Sequence, residues 1–593
     1  MTTDTTTVCA SAGFARLRRK GFEDFGFDFP KFFSFMKKGS FLSEISREIV
    51  LNERERELKR VLLVVSEECG RRGRPVVLRF AGGWVRDKLL GLESNDLDVV
   101  VDTMSGYEFA LCLSRYLARH RESQMGHSYV ARIERNPEKS KHLETATTHM
   151  LGIELDFVNL RSESYCQDSR IPTMAFGTPE EDSLRRDCTI NALFYNIHTC
   201  EIEDFTKRGL EDIKLKRIAT PLEPYQTFDD DPLRILRCIR FSSRFGFEID
   251  LEAKNAMMHP NIKKSLSTKI SKERIGVEVG KMLEGKNPYD SLKLIYELGL
   301  YENIFSTDSL MRPKEDLRCI PLVIELTKWI MQDKREHISK DESDSTLPSE
   351  HSISSILRSI SINPFEDHTD LLGGIKNNMI PWLLSILIPW KEQLVKNKKV
   401  NVQYSSIVVK EGLKMSNYIA NIVNESFSYF QEAQKISLEC MNGTETRVSL
   451  GNSFFKRYIM FLIIIGCFVR LVKKNWPFAV FLGLIDEMLT SFLTQTDELE
   501  NKYKIKRSKL ESQPLFDEKK AILSRYQYLL DQIHCENLQK AYSLQPIVNG
   551  HILSKTYGLK GPQIGIALEQ VILWQLKNPK GTSEQCLSQL NLK

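Results

Sequence analysis

The stretch Phe80-Ala-Gly-Gly-Trp-Val-Arg-Asp87, followed by Asp96-Leu-Asp98, constrains this chain more than any other. Gly82 and Gly83 carry no Cβ, so a backbone turn there can approach a polyphosphate closely. Two aspartates spaced i, i+2 on a strand project both carboxylates to one face, where they can share metal ions. Leu97, Val99 and Val101 then fall on the opposite, apolar face. A glycine turn leading to such a strand suits nucleotidyl transfer, in which two Mg²⁺ ions ordinarily clamp the attacking and leaving oxygens. Each element alone is commonplace: Gly-Gly occurs in many turns, and Asp-x-Asp on many solvated strand edges. The weight comes from further elements downstream.

Around this stretch the pattern predicts a helix from Phe41 to Cys69 interrupted near Asn52, a strand at Val76–Phe80, a short helix after the glycines, and a strand at Asp96–Asp102. A helix over 105–119, a polar loop over 134–148 and a strand at Ile153–Leu160 follow. Strands separated by helices make the first 220 residues an α+β or α/β unit. After residue 225 strand signals fade and helical spacing dominates. The expected fold is an α+β head with a mixed sheet and flanking helices, followed by an all-α remainder. The expected divisions are a loose extension over 1–40, a head over 41–220, a helical neck over 221–300, a body over 301–480 with a polar insertion near 333–355, and a tail over 481–593.

A second element reads Arg185-Arg-Asp-Cys-Thr-Ile-Asn-Ala192. Arg185 and Arg186 can bind phosphate oxygens, and Asp187 can accept from a ribose hydroxyl. The run that follows predicts a helix entering the core. A third element, with Asp204, Gly209 and Asp212, reads as a turn with acidic caps and a scaffold role. The fourth reads Phe228-Asp-Asp-Asp-Pro-Leu-Arg-Ile-Leu-Arg-Cys-Ile-Arg-Phe241. Pro232 favours a helix start there, and aspartates suit its N-terminal dipole. Asp231, Arg234, Arg237 and Arg240 share one half of that helix, with Leu233, Ile235, Leu236 and Ile239 mainly on the other. Three arginines on one face repel unless an anion neutralises them. An Asp accepting from an exocyclic amine beside an Arg donating to a ring nitrogen selects cytosine and adenine over uracil and guanine. Asp231 and Arg234 are best spaced for this; Arg240, half a turn away, suits phosphate or scaffold.

These ordered motifs resemble those of class II CCA-adding tRNA nucleotidyltransferases, within the poly(A) polymerase/tRNA nucleotidyltransferase superfamily. The likeness covers residues 76–285, and Lys269-Ile-Ser-Lys-Glu-Arg-Ile275 resembles the family's later, structural helical motif. Flanking stretches and Trp574–Gly581 look plant- and fungal-like, whereas residues 305–540 match weakly. The resemblance implies sequential addition of C, C and A to the tRNA 3′ end from CTP and ATP, with pyrophosphate released. It implies Mg²⁺ at Asp96 and Asp98. It implies nucleotide contacts from Gly82, Gly83, Arg86, Asp87, Arg185, Arg186 and Asp187, and base contacts from Asp231 and Arg234, with Arg237 and Arg240 nearby. It also implies tRNA as partner, held by the helical half, where Lys391, Lys396, Lys398, Lys399, Lys473 and Lys474 are candidates. Poly(A) synthesis, a partial C- or A-adding activity, and a catalytically silent tRNA-binding role are the alternatives.

Composition bounds the rest. The chain has 593 residues, 41% hydrophobic and 27% charged, as globular proteins do. A net charge of +5 means that any RNA surface must come from local clusters. Twelve cysteines without a C-x-x-C pair argue against a zinc ribbon and for a reducing compartment. The apolar runs Tyr458–Val469 and Met379–Trp390 fall short of the ~20 residues of a membrane span, so no membrane partner is expected. Residues 5–20 carry Arg16, Arg18, Arg19 and Lys20 without an acid, which fits either a mitochondrial presequence or a basic arm. The expected locations are cytoplasm, nucleus and mitochondrion, and a monomer is favoured.

Overall fold

Helix α1 (Glu53–Arg71) begins where the pattern breaks, because Asn52 caps it. The Asn52 side chain accepts from Glu55 N at 2.9 Å, and the Glu55 carboxylate accepts from Asn52 N at 2.8 Å. Such a reciprocal box satisfies two otherwise orphaned N–H groups. This computed structural model describes residues 49–94, 96–120, 131–133, 145–166, 169–307, 311–313, 316–332, 379–397, 400–444, 451–503 and 513–590. The N-terminal extension, most of the 134–148 segment and the 333–355 insertion lie outside the described residues.

Two units divide the chain: residues 40–306 with 412–414, and the remainder. The first contains β1 (Leu78–Ala81), α2 (Gly83–Leu89), β2 (Asp96–Val101), α3 (Gly106–His120), β3 (Ala131–Ile133), β4 (Thr145–Met150) and β5 (Ile153–Asn159). A hairpin of β6 (Arg161–Cys166) and β7 (Ser169–Phe176) follows, then α4 (Pro179–Leu184), β8 (Phe194–Asn196) and β9 (Glu201–Glu203). A seven-stranded mixed sheet runs in the order β3-β4-β5-β2-β1-β8-β9. Only β2 and β5 pair in parallel within it, which requires a crossover, here including α3. The expected head with a mixed sheet is therefore present.

Two sequence readings are corrected here. Thr145–Met150 is a strand, not loop: Ala146, Thr148 and Met150 are buried, and the threonines between them hide the alternation. The run after Asp187 is a single 3-10 turn, Thr189–Asn191, that leads into β8 rather than a helix.

The chain continues through α5 (Gly209–Lys214), β10 (Arg217–Ile218), α6 (Pro224–Asp230), α7 (Leu233–Phe245), β11 (Glu248–Ile249), α8 (Leu251–Met258), α9 (Pro260–Lys269), α10 (Lys272–Leu283) and α11 (Pro288–Glu297). Pro232 caps α7, and Gly246 ends it at φ 67°. Leu233, Ile235, Leu236 and Ile239 are all buried, as the helical spacing requires. Asp212 scaffolds this region, accepting from Thr189 Oγ1 at 2.6 Å and Arg217 Nε at 2.6 Å.

The second unit is mostly helical. Its helices include α12 (Ile320–Gln332) and α13 (Met379–Ile386), then, after the short hairpin β12 (Leu394–Asn397) and β13 (Val400–Gln403), α14 (Asn417–Thr444), α15 (Gly451–Val472), α16 (Trp476–Tyr503) and α17 (Gln513–Cys535). α18 (Gly550–Tyr557), α19 (Pro562–Lys577) and α20 (Ser583–Gln589) close on their own core of Val548, Leu553, Ala567, Val571, Trp574 and Cys586. β11, β12 and β13 are strands where only helices were expected. Among the described residues, no helix is long and apolar enough to cross a membrane.

Candidate active site

The sheet register builds a carboxylate face. Asp96 and Asp98 alternate on β2 with the fully buried Leu97 and Val99. The parallel pairing sets Glu154 beside Asp96 and Asp156 beside Asp98. Neither Asp96 nor Asp98 has an ion-pair partner among the described residues. Burial, chiefly, pushes the Asp98 carboxyl up to about 6; Arg186 opposes this, while Asp96 and Asp156 add to it. Asp96 is raised by burial and then by Asp156 and Glu154. Carboxylates crowded in this way lack positive charge, which is the condition a hard cation relieves.

Asp156 was not anticipated from sequence. Its Oδ1 accepts from Thr147 Oγ1 on β4 at 2.5 Å. The available signal was the second i, i+2 pair, Glu154-Leu-Asp156, but its place depends on strand register. Among the described residues, no group of three or more His, Cys, Asp and Glu is gathered tightly enough to form a metal cage. The all-oxygen pair Asp96 and Asp98 nevertheless fits Mg²⁺, which keeps waters and binds through one or two carboxylates plus substrate phosphates.

At the end of β1, Gly82 adopts φ 63° and ψ −119°, and its N–H donates to Leu193 O at 3.0 Å. A Cβ there would lie 2.6 Å from Arg186 Nη1. Gly83 opens α2, with Arg86 beneath it. Arg186 is held by Asp182 Oδ2 (2.9 Å from Nη2) and by Asn191 O (2.9 Å from Nη1). Arg185 shares that carboxylate, with Nε 2.9 Å from Oδ1. Burial works to raise Asp182, but Arg186 and Arg185 overcome it and hold the carboxyl low. Asp182 thus spreads its charge over two arginines.

Arg86 and Asp87 lie deeper. Arg86 is buried, pairs with Asp87 Oδ1 at 2.6 Å, donates to Asn191 Oδ1, and lies over the rings of Phe241 and Phe245. Asp87 also accepts from Arg244 at 3.2 Å. Asp187 is buried as well, and accepts from Cys188 N (2.8 Å), Asn191 Nδ2 (2.9 Å) and Arg237 Nε (2.6 Å). Burial alone would raise its carboxyl; Arg237 and these hydrogen bonds hold it well below the usual range.

The α7 arginines also find their anions inside the protein. Arg240 Nε lies 2.6 Å from Glu278 on α10, and Arg237 lies between Asp187 and Glu278. Arg234 donates to Thr227 O at 3.2 Å and Arg185 O at 2.7 Å. The expected repulsion is therefore neutralised by carboxylates and carbonyls of the chain, and a bound anion is not required. Asp231 Oδ1 accepts from Leu233 N at 3.2 Å, and Oδ2 pairs with Arg274 at 3.2 Å. Lys269 pairs with Asp229 at 3.2 Å. Arg274 and Glu278 were not anticipated because they meet Asp231 and Arg240 from far along the chain, whereas Asp182 and Asn191 stand three to five residues from their partners, a spacing that could have found them.

Family comparisons agree with this geometry. A model described as "Poly A polymerase head domain" matches residues 78–219, and one described as "Probable RNA and SrmB- binding site of polymerase A" matches 246–307. The chain is 38% identical to the mitochondrial CCA tRNA nucleotidyltransferase of Saccharomyces cerevisiae, over 87% of this chain and 88% of the relative. The chain belongs to the CCA-adding tRNA nucleotidyltransferase family. Identity to tRNA nucleotidyltransferase cca2 of Schizosaccharomyces pombe is 35%, covering 91% and 98% of the two chains. A solved CCA-adding enzyme in an apo form shares the fold, with TM-score 0.55 at 18% identity over 91% of this chain and 95% of that one. Within the family's helical half, Lys391 pairs with Asp486 at 2.8 Å and is mostly buried, so it serves packing instead of standing ready for phosphate. Lys473 and Lys474 are exposed, with Lys474 over the Tyr418 ring. Lys396 lies on β12, and Lys398 and Lys399 lie outside the described residues.

Proposed function

We propose that this protein adds C, C and A to the 3′ end of tRNA from CTP and ATP, without a nucleic-acid template. The observation that carries the reading is the unpaired Asp96/Asp98 couple beside the Gly82 turn, faced by Arg186. The tRNA 3′-hydroxyl attacks the α-phosphorus, and pyrophosphate leaves. Asp96 and Asp98 would hold Mg²⁺, which supplies acidification of the hydroxyl and neutralisation of the leaving group. Gly82 and Gly83 leave the backbone bare for phosphate, and Arg186 beside them offers charge to it.

Asp231 and Arg234 would read the base. Base reading would exchange the present Arg274 contact of Asp231 and the carbonyl contacts of Arg234 for contacts to the base. Arg86, Asp87, Asp187, Arg237 and Arg240 act from behind, holding α2 and α7 in place. The helical unit would hold tRNA through phosphates, with Lys473 and Lys474 on its surface. A mitochondrial location is supported by the yeast relative; nuclear and cytoplasmic pools are part of the proposal and are checked by fractionation.

The test is a tRNA lacking its CCA end, incubated with the protein, Mg²⁺ and each nucleoside triphosphate singly and together. Addition of CC from CTP alone, ending at CCA once ATP is present, is expected. A long A tail would assign poly(A) synthesis, and a single-nucleotide product a partial activity. Bound but unextended tRNA would overturn the catalytic reading.

A further inference from the structure

Away from the carboxylate face, the turn joining β8 to β9 carries an exposed thiol. Cys200 sits there at φ 62°, a conformation uncommon outside glycine, with its N–H donating to Asn196 O at 2.9 Å. The sulfur meets the Lys59 ammonium, 141 residues earlier on α1, at an Nζ–Sγ distance of 2.6 Å. That contact is shorter than the 2.7–3.2 Å usual even for N–H to oxygen, and sulfur is the larger atom. Half-buried Lys59 has no carboxylate partner among the described residues: Glu55, one turn before it, is occupied by Lys88 (2.7 Å) and Trp84 Nε1 (3.2 Å). Tyr195, on the strand before this turn, packs against Phe80 and Trp84.

We propose that Lys59 and Cys200 form a reversible, peroxide-driven sulfur–nitrogen cross-link that staples α1 to the β8–β9 turn. The steps balance. The Cys200 thiolate attacks one oxygen of hydrogen peroxide; the S–O bond forms, the O–O bond breaks, and hydroxide leaves and takes a proton to become water. Sulfur is oxidised by two electrons to the sulfenic acid, and peroxide is reduced. The Lys59 amine, having lost its proton, then attacks that sulfur; the N–S bond forms, the S–O bond breaks, and a second water leaves. This second step involves no further oxidant, and thiols reverse the product. Lys59 supports the first step too, because its hydrogen bond lowers the Cys200 thiol from its ordinary range. Cys535, also exposed, has no lysine hydrogen-bonded to its sulfur among the described residues and serves as the internal reference.

The test treats the full chain with hydrogen peroxide and maps it by tryptic mass spectrometry. Expected are loss of cleavage after Lys59, a linked peptide pair lighter by about two hydrogens, and its disappearance with dithiothreitol. Lys59→Arg keeps the cation but should abolish the linked pair, leaving Cys200 sulfenic acid that dimedone captures. Cys200→Ser should abolish both. Equal dimedone capture in the parent and Lys59→Arg, or oxidation of Cys200 no faster than of Cys535, would overturn the proposal.

Discussion

The β2 strand and the α7 helix both carry a row of like charges, and the structure treats them oppositely. On β2, Asp96 and Asp98 have no ion partner among the described residues, so burial and then neighbouring carboxylates raise them. On α7, each arginine meets a partner within the chain: Arg237 has Asp187, Arg240 has Glu278, and Arg234 has two carbonyls. Uncompensated charge is costly to fold around, and it persists where a ligand will complete it. Compensated charge rigidifies. On the proposed reading the strand is the reacting element and the helix is largely its support, with Arg234 in its first turn and the extended Asp231 just before it the exception.

The contrast can be broken from either side. The largest effect is expected at Asp98→Asn or Asp96→Ala, where nucleotide addition should fall roughly a thousandfold, a loss of several kcal/mol in the transition state, while the thermal midpoint holds or rises. Replacing Asp187 by Ala should do the reverse. It removes a buried carboxylate shared by Cys188 N, Asn191 and half-exposed Arg237, and should lower stability, read by urea unfolding. Gly82→Ala should come next: it forces a left-handed φ worth about 1–2 kcal/mol and pushes on Arg186. That should raise KM for CTP and ATP more than it lowers the midpoint.

Acid sharpens the same comparison. Asp98 is raised in the fold, so its contribution to stability is complete below the ordinary carboxyl value of 3.8 and is lost as pH rises through about 6. Asp187 is lowered, so its contribution is present above that ordinary value and is lost as pH falls below it. Stability of the metal-free protein should therefore decline as pH rises from the ordinary carboxyl value of 3.8 to about 6, a loss that added Mg²⁺ removes, with a separate acid limb below that value that Mg²⁺ does not touch. A pH profile insensitive to Mg²⁺ would speak against Asp98 as a metal ligand.

Much of the head was legible because its signals are local. The i, i+2 spacing on β2, the paired glycines and Pro232 each act within a few residues, and the elements formed where the pattern put them. Asp156 was hidden because its place beside Asp98 depends on the β2–β5 register, set by a crossover of some fifty residues. Glu278 was hidden because it reaches Arg240 from another helix, whereas Asp182 left a readable i, i+3 and i, i+4 spacing to Arg185 and Arg186. The three arginines of α7 invited a bound anion only because their carboxylates lie on other elements. Residues 145–148, the end of the expected 134–148 loop, belong to a strand, because threonine supplies strand geometry without an apolar mark.

The most direct test sets Asp98→Asn against Asp187→Asn, measuring single-turnover CMP addition to tRNA and the urea midpoint on the same preparations. The account predicts that Asp98→Asn loses turnover while keeping or raising its midpoint, and that Asp187→Asn loses midpoint well before turnover at low temperature. Retained turnover in Asp98→Asn, or a collapsed fold from that change alone, would contradict the assignment of the strand as the reacting element.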